Sequence, residues 1–290
     1  MEIAIVSGKG GTGKSCISAA FASVAGQVVL ADCDVDAANQ YLLFNPRHEE
    51  EHVYVSGHTA QIDYTVCNDC GKCLDHCAFD AITGENGKMV INHILCDGCF
   101  LCSRVCPVDA ISMIPNDRSR MYAGDFRYGK MAYGRLAPGE ENSGRLVQLV
   151  REKASELADK SGISTILLDG PPGIGCPVSS TITGADKVVM VTEPTVSGFS
   201  DLQRVADMVG NYKMKRYVII NKYDLNPELT KQIADWCREQ QITIAGYLPF
   251  DEAVVKAMVK QMTVTEFDPG SEISQLLIQA WNTLNLTVES

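Results

Sequence analysis

The sequence predicts an α/β fold in which a parallel sheet wrapped by helices is interrupted by a small α+β module. Three observations carry this. Short apolar runs alternate with helix-length segments at both ends of the chain. A cysteine-dense stretch between about residues 60 and 115 breaks that alternation. The same stretch repeats itself, Cys67, Cys70, Cys73, Cys77, Asp80 and Ile82 mapping at one constant offset onto Cys96, Cys99, Cys102, Cys106, Asp109 and Ile111.

At 290 residues, 46% hydrophobic and 21% charged, the chain can bury a sizeable core. A net charge of −11 disfavours a nucleic-acid groove or an anionic membrane surface as partner. No apolar run approaches the roughly 18 residues that span a bilayer, and MEIAIVSG lacks the plan of a signal peptide. A cytoplasmic location is therefore expected. In that compartment 12 cysteines read as metal ligands or catalytic thiols rather than disulfides.

Taken in order, EIAIVS (2–7) reads as a buried strand, followed by a glycine-rich turn and an Ala/Ser-rich helix near 14–26. VVLADCD forms a second strand. The acidic run Glu49 to Glu51 reads as an exposed connector, and residues 120–136 alternate as a hairpin would. GEENSGRLVQLVREKASELADKSG (139–162) begins as a loop and continues as an amphipathic helix. Strands resume with TILLDG (165–170), KVVMVTEP (187–194), RYVIINK (216–222) and ITIAGYLP (242–249). SEISQLLIQAWNTLNL (271–286) reads as a helix packed on the core through Ile273, Leu276, Leu277, Ala280, Trp281 and Leu284. The expected division is 1–59 for the first part of the large domain, 60–115 for the insert and 116–290 for the second part.

GKGGTGKS (8–15) follows a predicted strand and opens a helix, the context a phosphate loop requires. Gly8, Gly10, Gly11 and Gly13 let backbone N–H groups approach phosphate oxygens, Thr12 and Cys16 complete the lining, and the helix N-terminus adds partial positive charge. Lys14 is expected to reach the β and γ phosphates, and Ser15 to ligate Mg²⁺.

C-x2-C-x2-C-x3-C occurs twice, with Pro107 completing the second run. This is the bacterial two-cluster ferredoxin spacing, in which each run's fourth cysteine serves the other cluster. Cys67, Cys70, Cys73 and Cys106 are thus expected to hold one [4Fe–4S] cluster, and Cys96, Cys99, Cys102 and Cys77 the second. Zinc is the alternative, but a tetrahedral site strands the third cysteine of each run. Ala78 stands where the first run's proline is expected. Of the other cysteines, Cys16 and Cys237 fall on predicted helices as packed thiols and Cys33 on a strand.

The KGGTGKS loop with its extra Lys9 resembles the deviant Walker A motif of the MinD/ParA/Mrp superfamily of P-loop ATPases. LADCD, LLDGPPG, NKYD and LPFD match the same family. GEENSGR, DGPPGIGCPV, VTEPT and INKYDLN resemble its subgroup with an inserted two-cluster ferredoxin, apart from Arg145 in place of an expected lysine. The resemblance implies a parallel-sheet P-loop NTPase that binds ATP and Mg²⁺ and closes as an ATP-sandwich homodimer, with Lys9 reaching the partner's nucleotide. It implies that Asp32 and Asp169 support Mg²⁺, that Asp34 orients the attacking water, and that Asn221, Pro249 and Asp251 contact the base. Adenine is the expected base. NKYD also fits the guanine-reading NKxD pattern, leaving GTP as rival and Asp224 otherwise a surface or capping residue. Cys176 sits where the nitrogenase iron protein has a bridging cluster ligand, without that protein's second cysteine.

The function expected is a Mg-ATPase whose nucleotide state gates electron or cluster transfer to an unidentified redox or metallocofactor-assembly partner. The alternatives are a MinD/ParA-like spatial organiser and a redox carrier with a vestigial ATPase.

Overall fold

The computed structural model describes residues 1–140 and 143–285; Glu141 and Asn142 of the GEENSG run, and Leu286 of the expected closing helix, lie outside the described residues. The chain divides into two compact units, one of Met1–His52, Met121–Arg135 and Ser143–Ser290, the other of Val53–Arg120 and Leu136–Asn142.

The first unit opens with β1 (Glu2–Ser7), α1 (Lys14–Ala25), β2 (Val28–Asp32) and α2 (Gln40–Phe44), and β3 (Arg47–Tyr54) leads out of it. The second holds β4 (Gly57–Ile62), α3 (Lys72–Asp75), β5 (Ile82–Glu85), β6 (Lys88–Ile91), α4 (Leu101–Val105) and β7 (Ile111–Asn116). Strand β8 (Ser119–Phe126) leads back. There follow β9 (Gly129–Arg135), α5 (Ser143–Ser161), β10 (Ile166–Pro172), α6 (Cys176–Ile182), β11 (Lys187–Thr192) and α7 (Val196–Val209). The chain continues through β12 (Lys215–Asn221), α8 (Pro227–Glu239), β13 (Thr243–Leu248), α9 (Glu252–Val259), α10 (Val264–Phe267) and α11 (Glu272–Asn285).

Nine strands form one sheet in the order β13-β12-β11-β1-β10-β2-β9-β8-β3. Pairing is parallel from β13 through to β9. Strands β2 and β11 are buried throughout, which explains their unbroken apolar runs: helices cover both faces of a parallel sheet. Because β10 lies between β1 and β2, Asp169 is level with both Ile5 and Asp32. The loop after β1 thus lies at the same end of the sheet as Asp32, the last residue of β2, with Asp169 of β10 level with it, and open α/β sheets place ligands at the carboxyl ends of their strands.

The acidic run Glu49–Glu51 is not a connector but part of edge strand β3. Charge hid the strand, since its burial pattern is almost wholly exposed. Glu50 meets Lys153 of α5 at 2.6 Å and Glu49 meets Lys130 of β9 at 3.1 Å. A charged edge resists pairing with another chain. The 120–136 stretch forms the neighbouring strands β8 and β9, both part of the main sheet.

Helix α11 packs inward through Ile273, Leu277, Ala280, Trp281 and Leu284, with Leu276 partly buried against the same core. No described helix is long and apolar enough to cross a membrane. Ahead of α11, Thr263 and Glu266 form a capping box on α10. Glu266 also accepts two hydrogen bonds from Arg127, at 2.6 and 3.0 Å. Burial opposes ionisation there, but Arg127, Tyr128 and the Thr263 N–H together hold the carboxyl at about 2. A carboxylate depressed on folding contributes stability that is complete above its unfolded pKa and fades as pH falls through the folded one. Glu266→Gln should therefore cost about 2 kcal/mol at pH 7 after allowance for solvent screening, and the deficit should vanish between about pH 5 and about 2. Urea melts followed by Trp236 and Trp281, both in the first unit, measure this. A deficit that is independent of pH contradicts it.

In the second unit, β4 pairs antiparallel with β7, and β5 with β6. Its core is small, built on Ala60, Ile62, Cys73, Ile82, Met89, Ile91 and Ile111. Apolar burial on that scale rarely holds so short a unit, so a metal or other staple is expected. Glu140 ties its ends together: the buried carboxylate accepts from Ser56 Oγ at 3.0 Å and from the Arg118 and Ser119 backbone N–H groups at 3.2 Å.

Candidate functional site

The turn after β1 has the shape its glycines require. Gly11 (φ 81°) and Gly13 (φ 88°) adopt left-handed conformations that L side chains resist. A Cβ on Gly13 would stand 2.4 Å from Asn221 Nδ2, and one on Gly8 2.5 Å from Asp201 Cβ. Helix α1 then starts at Lys14 with no side-chain cap from Gly13. Its first N–H groups are left for an anion.

The loop from Gly10 to Cys16 lines a cavity of about 460 Å³ with Asp34, Asn39, Gln40, Leu42, Leu43, Pro172 and Met258. Asp32 and Asp169 are fully buried. Lys14 Nζ lies 3.2 Å from Asp169 Oδ1 and 3.9 Å from Asp34 Oδ2. Asp169 also accepts from Ser18 Oγ at 2.9 Å and from Gln40 Nε2 at 2.7 Å. Asp32 accepts the backbone N–H groups of Asp34, Asn39 and Gln40 at 3.2, 3.0 and 3.0 Å.

Three carboxylates therefore surround a single ammonium. Burial, with Asp169 alongside, pushes the Asp32 carboxyl above its ordinary value, and burial does the same to Asp34 despite Lys14. Burial pulls Lys14 down, but Asp169, Asp34 and Asp32 outweigh it and raise its pKa. Such an excess of negative charge repels a bare triphosphate and suits a divalent cation beside it. The donor set, hard oxygens from Ser15 and the aspartates, fits Mg²⁺.

Other expected residues lie elsewhere. Lys9 does not line the cavity: its Nζ meets Glu193 at 2.7 Å, with Thr195 Oγ1 at 3.2 Å and Ser197 Oγ at 3.3 Å. Lys222 shares the same carboxylate at 3.1 Å. Asn221 is used by the loop, Nδ2 donating to Thr12 O at 2.7 Å. Asp251 caps α9 by accepting the Ala253 N–H at 2.7 Å. Asp224 accepts the Phe250 N–H at 2.8 Å, joining the NKYD and LPFD segments. Pro249, Asn221, Asp251 and Gly8 are absent from the cavity lining, whereas Cys16, expected in the lining as well as among the packed thiols, belongs to it. Cys237 and Cys33 are buried, and Cys176 is exposed. Sequence reading missed Gln40, Ser18, Glu193 and Met258.

In the second unit the eight cysteines divide between two small cavities. One is lined by Cys67, Cys70, Cys73 and Cys106 with Ile62, Met89 and Ile111; the other by Cys77, Cys96, Cys99 and Cys102 with Phe79, Phe100 and Met113. Each set mixes three thiols of one run with the last of the other. Backbone N–H groups point at sulfur, Ala110 to Cys106 Sγ at 3.2 Å and Ala60 to Cys96 Sγ at 3.5 Å. Among the described residues no three His, Cys, Asp or Glu side chains converge as a single-ion site requires. Each set of four thiols, with an N–H donor to one of its sulfurs, is a donor set of the kind that holds an iron–sulfur cluster.

A parallel sheet of this order with a glycine loop, a buried lysine and paired aspartates on the adjacent strands β2 and β10 defines a P-loop nucleotide-binding protein. The chain belongs to the CobQ/CobB/MinD/ParA nucleotide binding domain family, whose model matches residues 3–264. It is 33% identical over 289 residues to the uncharacterized protein MJ0578 of Methanocaldococcus jannaschii, covering 98% of this chain and 96% of that one. It superposes on the septum site-determining protein MinD of Pyrococcus horikoshii, solved with Mg-ADP, with a TM-score of 0.60 at 18% identity, over 98% of this chain and 96% of that one. A ferredoxin of Pyrobaculum islandicum is 34% identical over 85 residues, which is 28% of this chain and 76% of that protein.

Proposed function

We propose that the protein is a dimeric Mg-ATPase whose nucleotide state gates the transfer of electrons, or of iron–sulfur or other metal clusters, through a ferredoxin-like insert to a maturation partner. The observation that carries this is one of connectivity. The chain leaves the first unit after His52 and re-enters at Met121, between Asp34 and Asp169, which both lie within 4 Å of Lys14. An insert spliced there is tied to the segments that respond to the γ-phosphate. Likeness of part of the chain to a ferredoxin supports the same reading.

In this reading residues 60–115 are the insert, between ATPase segments 1–59 and 116–290. Gly8, Gly10, Gly11, Thr12, Gly13 and Cys16 enclose the phosphates. Lys14 bonds the β and γ phosphates, Ser15, Asp32 and Asp169 hold Mg²⁺ directly or through water, and Asp34 orients the attacking water. Asn221, Pro249 and Asp251 border the adenine. Cys67, Cys70, Cys73 and Cys106 bind one [4Fe–4S] cluster, and Cys96, Cys99, Cys102 and Cys77 the other. Bound clusters supply one-electron chemistry at low potential.

Lys9 leaves Glu193 to reach a second protomer's nucleotide, where an added positive charge stabilises the transition state. Mixing Lys9→Ala with Asp34→Ala protein should restore hydrolysis to about a quarter of wild type, because each mixed dimer assembles one intact site from two defective chains. No recovery above either variant alone removes the trans role. The spatial-organiser reading gains nothing from α11, whose apolar side is committed to the core.

A further inference from the structure

Gln40 has no part in the motifs read from the sequence, yet it is 1% exposed and bonds to three segments that meet beside the nucleotide cavity. Its backbone N–H donates to Asp32 Oδ2 at 3.0 Å. Its side-chain amide donates to Asp169 Oδ2 at 2.7 Å and to Ser15 O at 2.9 Å. One residue at the start of α2 thus joins the end of β2, the middle of β10 and the first turn of α1. The two oxygens of Asp169 are divided between partners: Lys14 and Ser18 take Oδ1, and Gln40 takes Oδ2.

A buried carboxylate is free to turn about its terminal torsion unless both oxygens are held. When a nucleotide draws Lys14 toward phosphate, the ammonium leaves Oδ1, and Ser18 on Oδ1 and Gln40 on Oδ2 are the restraints left on the Asp169 plane. The amide bears no charge, so it orients Asp169 without competing with a cation for it. Lysine or arginine here would neutralise the floor, and an apolar residue would leave Oδ2 without a donor.

We propose that Gln40 is the positioning residue that aims Asp169 at the Mg²⁺–nucleotide complex, so that removing its amide weakens the magnesium-dependent part of ATP binding more than the magnesium-independent part. The inference rests on the Mg-ATPase reading given above. Outer partners that orient a metal's ligands commonly set its affinity by tenfold or more.

The test measures ATP affinity of the purified full-length holoprotein by calorimetry, once in excess EDTA and once in excess Mg²⁺, for wild type, Gln40→Met and Gln40→Asn. Gln40→Met keeps the volume and removes the donor. The ratio of its ATP affinity with Mg²⁺ to that in EDTA should fall about tenfold below the wild-type ratio, whatever its affinity in EDTA. Gln40→Asn, one methylene shorter, cannot span from the Asp32 contact to both Asp169 and Ser15, and should lower that ratio at least about threefold. If Gln40→Met does not fold, Gln40→Asn alone decides. Equal loss with and without Mg²⁺ marks a merely structural role and overturns the proposal, as does a Gln40→Asn variant indistinguishable from wild type. A wild type that binds no ATP overturns the ATPase reading itself, whereas a wild type that binds while its variants match it overturns only the role of Gln40.

Discussion

Replacing Lys14 by alanine should lower ATP hydrolysis by about 10²- to 10³-fold, the usual cost of removing a preorganised group aimed at developing charge, while the iron content stays at the wild-type value. Two facts make the effect large. Lys14 is the only ammonium within 4 Å of Asp169 and Asp34 among the described residues, and its burial means that no water molecule substitutes fully for it. Its loss also leaves the buried Asp32 and Asp169 and the partly buried Asp34 without their cation, so the variant should unfold more easily; breaking a buried pair costs about 3–5 kcal/mol. Lys14→Arg separates the two effects. It keeps the charge, and so the stability, but its planar fork does not reproduce the compact ammonium at the phosphates. Hydrolysis should stay low in a protein that melts near the wild-type temperature. Wild-type hydrolysis in either variant excludes this loop as the catalytic site.

The second large effect concerns the cysteines and is a matter of pairing. Cys67→Ser and Cys106→Ser should each reduce bound iron from about eight atoms to about four, and the double variant should lose no more than either single. Cys67→Ser combined with Cys77→Ser should instead abolish cluster binding, because those two thiols line different cavities. Ligands of one site are redundant in their loss, while ligands of separate sites add. If each run instead held its own cluster, the two outcomes would exchange: Cys67 with Cys106 would remove all iron, and Cys67 with Cys77 only half. Iron assay with EPR of the reduced protein distinguishes them.

How much of this was legible in the sequence depends on the range of each interaction. The strands at 2–7, 166–172 and 187–192 announce themselves because a doubly covered parallel strand is apolar at nearly every position. The phosphate loop is legible because its geometry is local: Gly11 and Gly13 are glycines for reasons set within the turn or one contact away. Strand β3 was invisible for the opposite reason. An edge strand exposed along most of its length needs no apolar alternation, and RHEEEHVY looks like a solvated loop until Lys153 and Lys130 are seen across from it. Gln40 carried no signal either, since its partners lie 129 residues away at Asp169 and 25 away at Ser15. For Lys9, the loop motif suggests a reach toward another chain, whereas Glu193, Thr195 and Ser197 of its own chain hold it in this structure. The VTEPT segment that supplies Glu193 and Thr195 is a family marker, but nothing in the residues themselves points to Lys9.

The measurement that bears most directly on nucleotide gating is the reduction midpoint of each cluster, followed by EPR in a dithionite titration with Mg-ATP, with Mg-ADP and with no nucleotide. Coupling between the units predicts that Mg-ATP shifts at least one midpoint or changes its EPR line shape in wild type, and does neither in Lys14→Ala. Midpoints and spectra that coincide under all three conditions, in a protein shown to bind Mg-ATP, contradict the account.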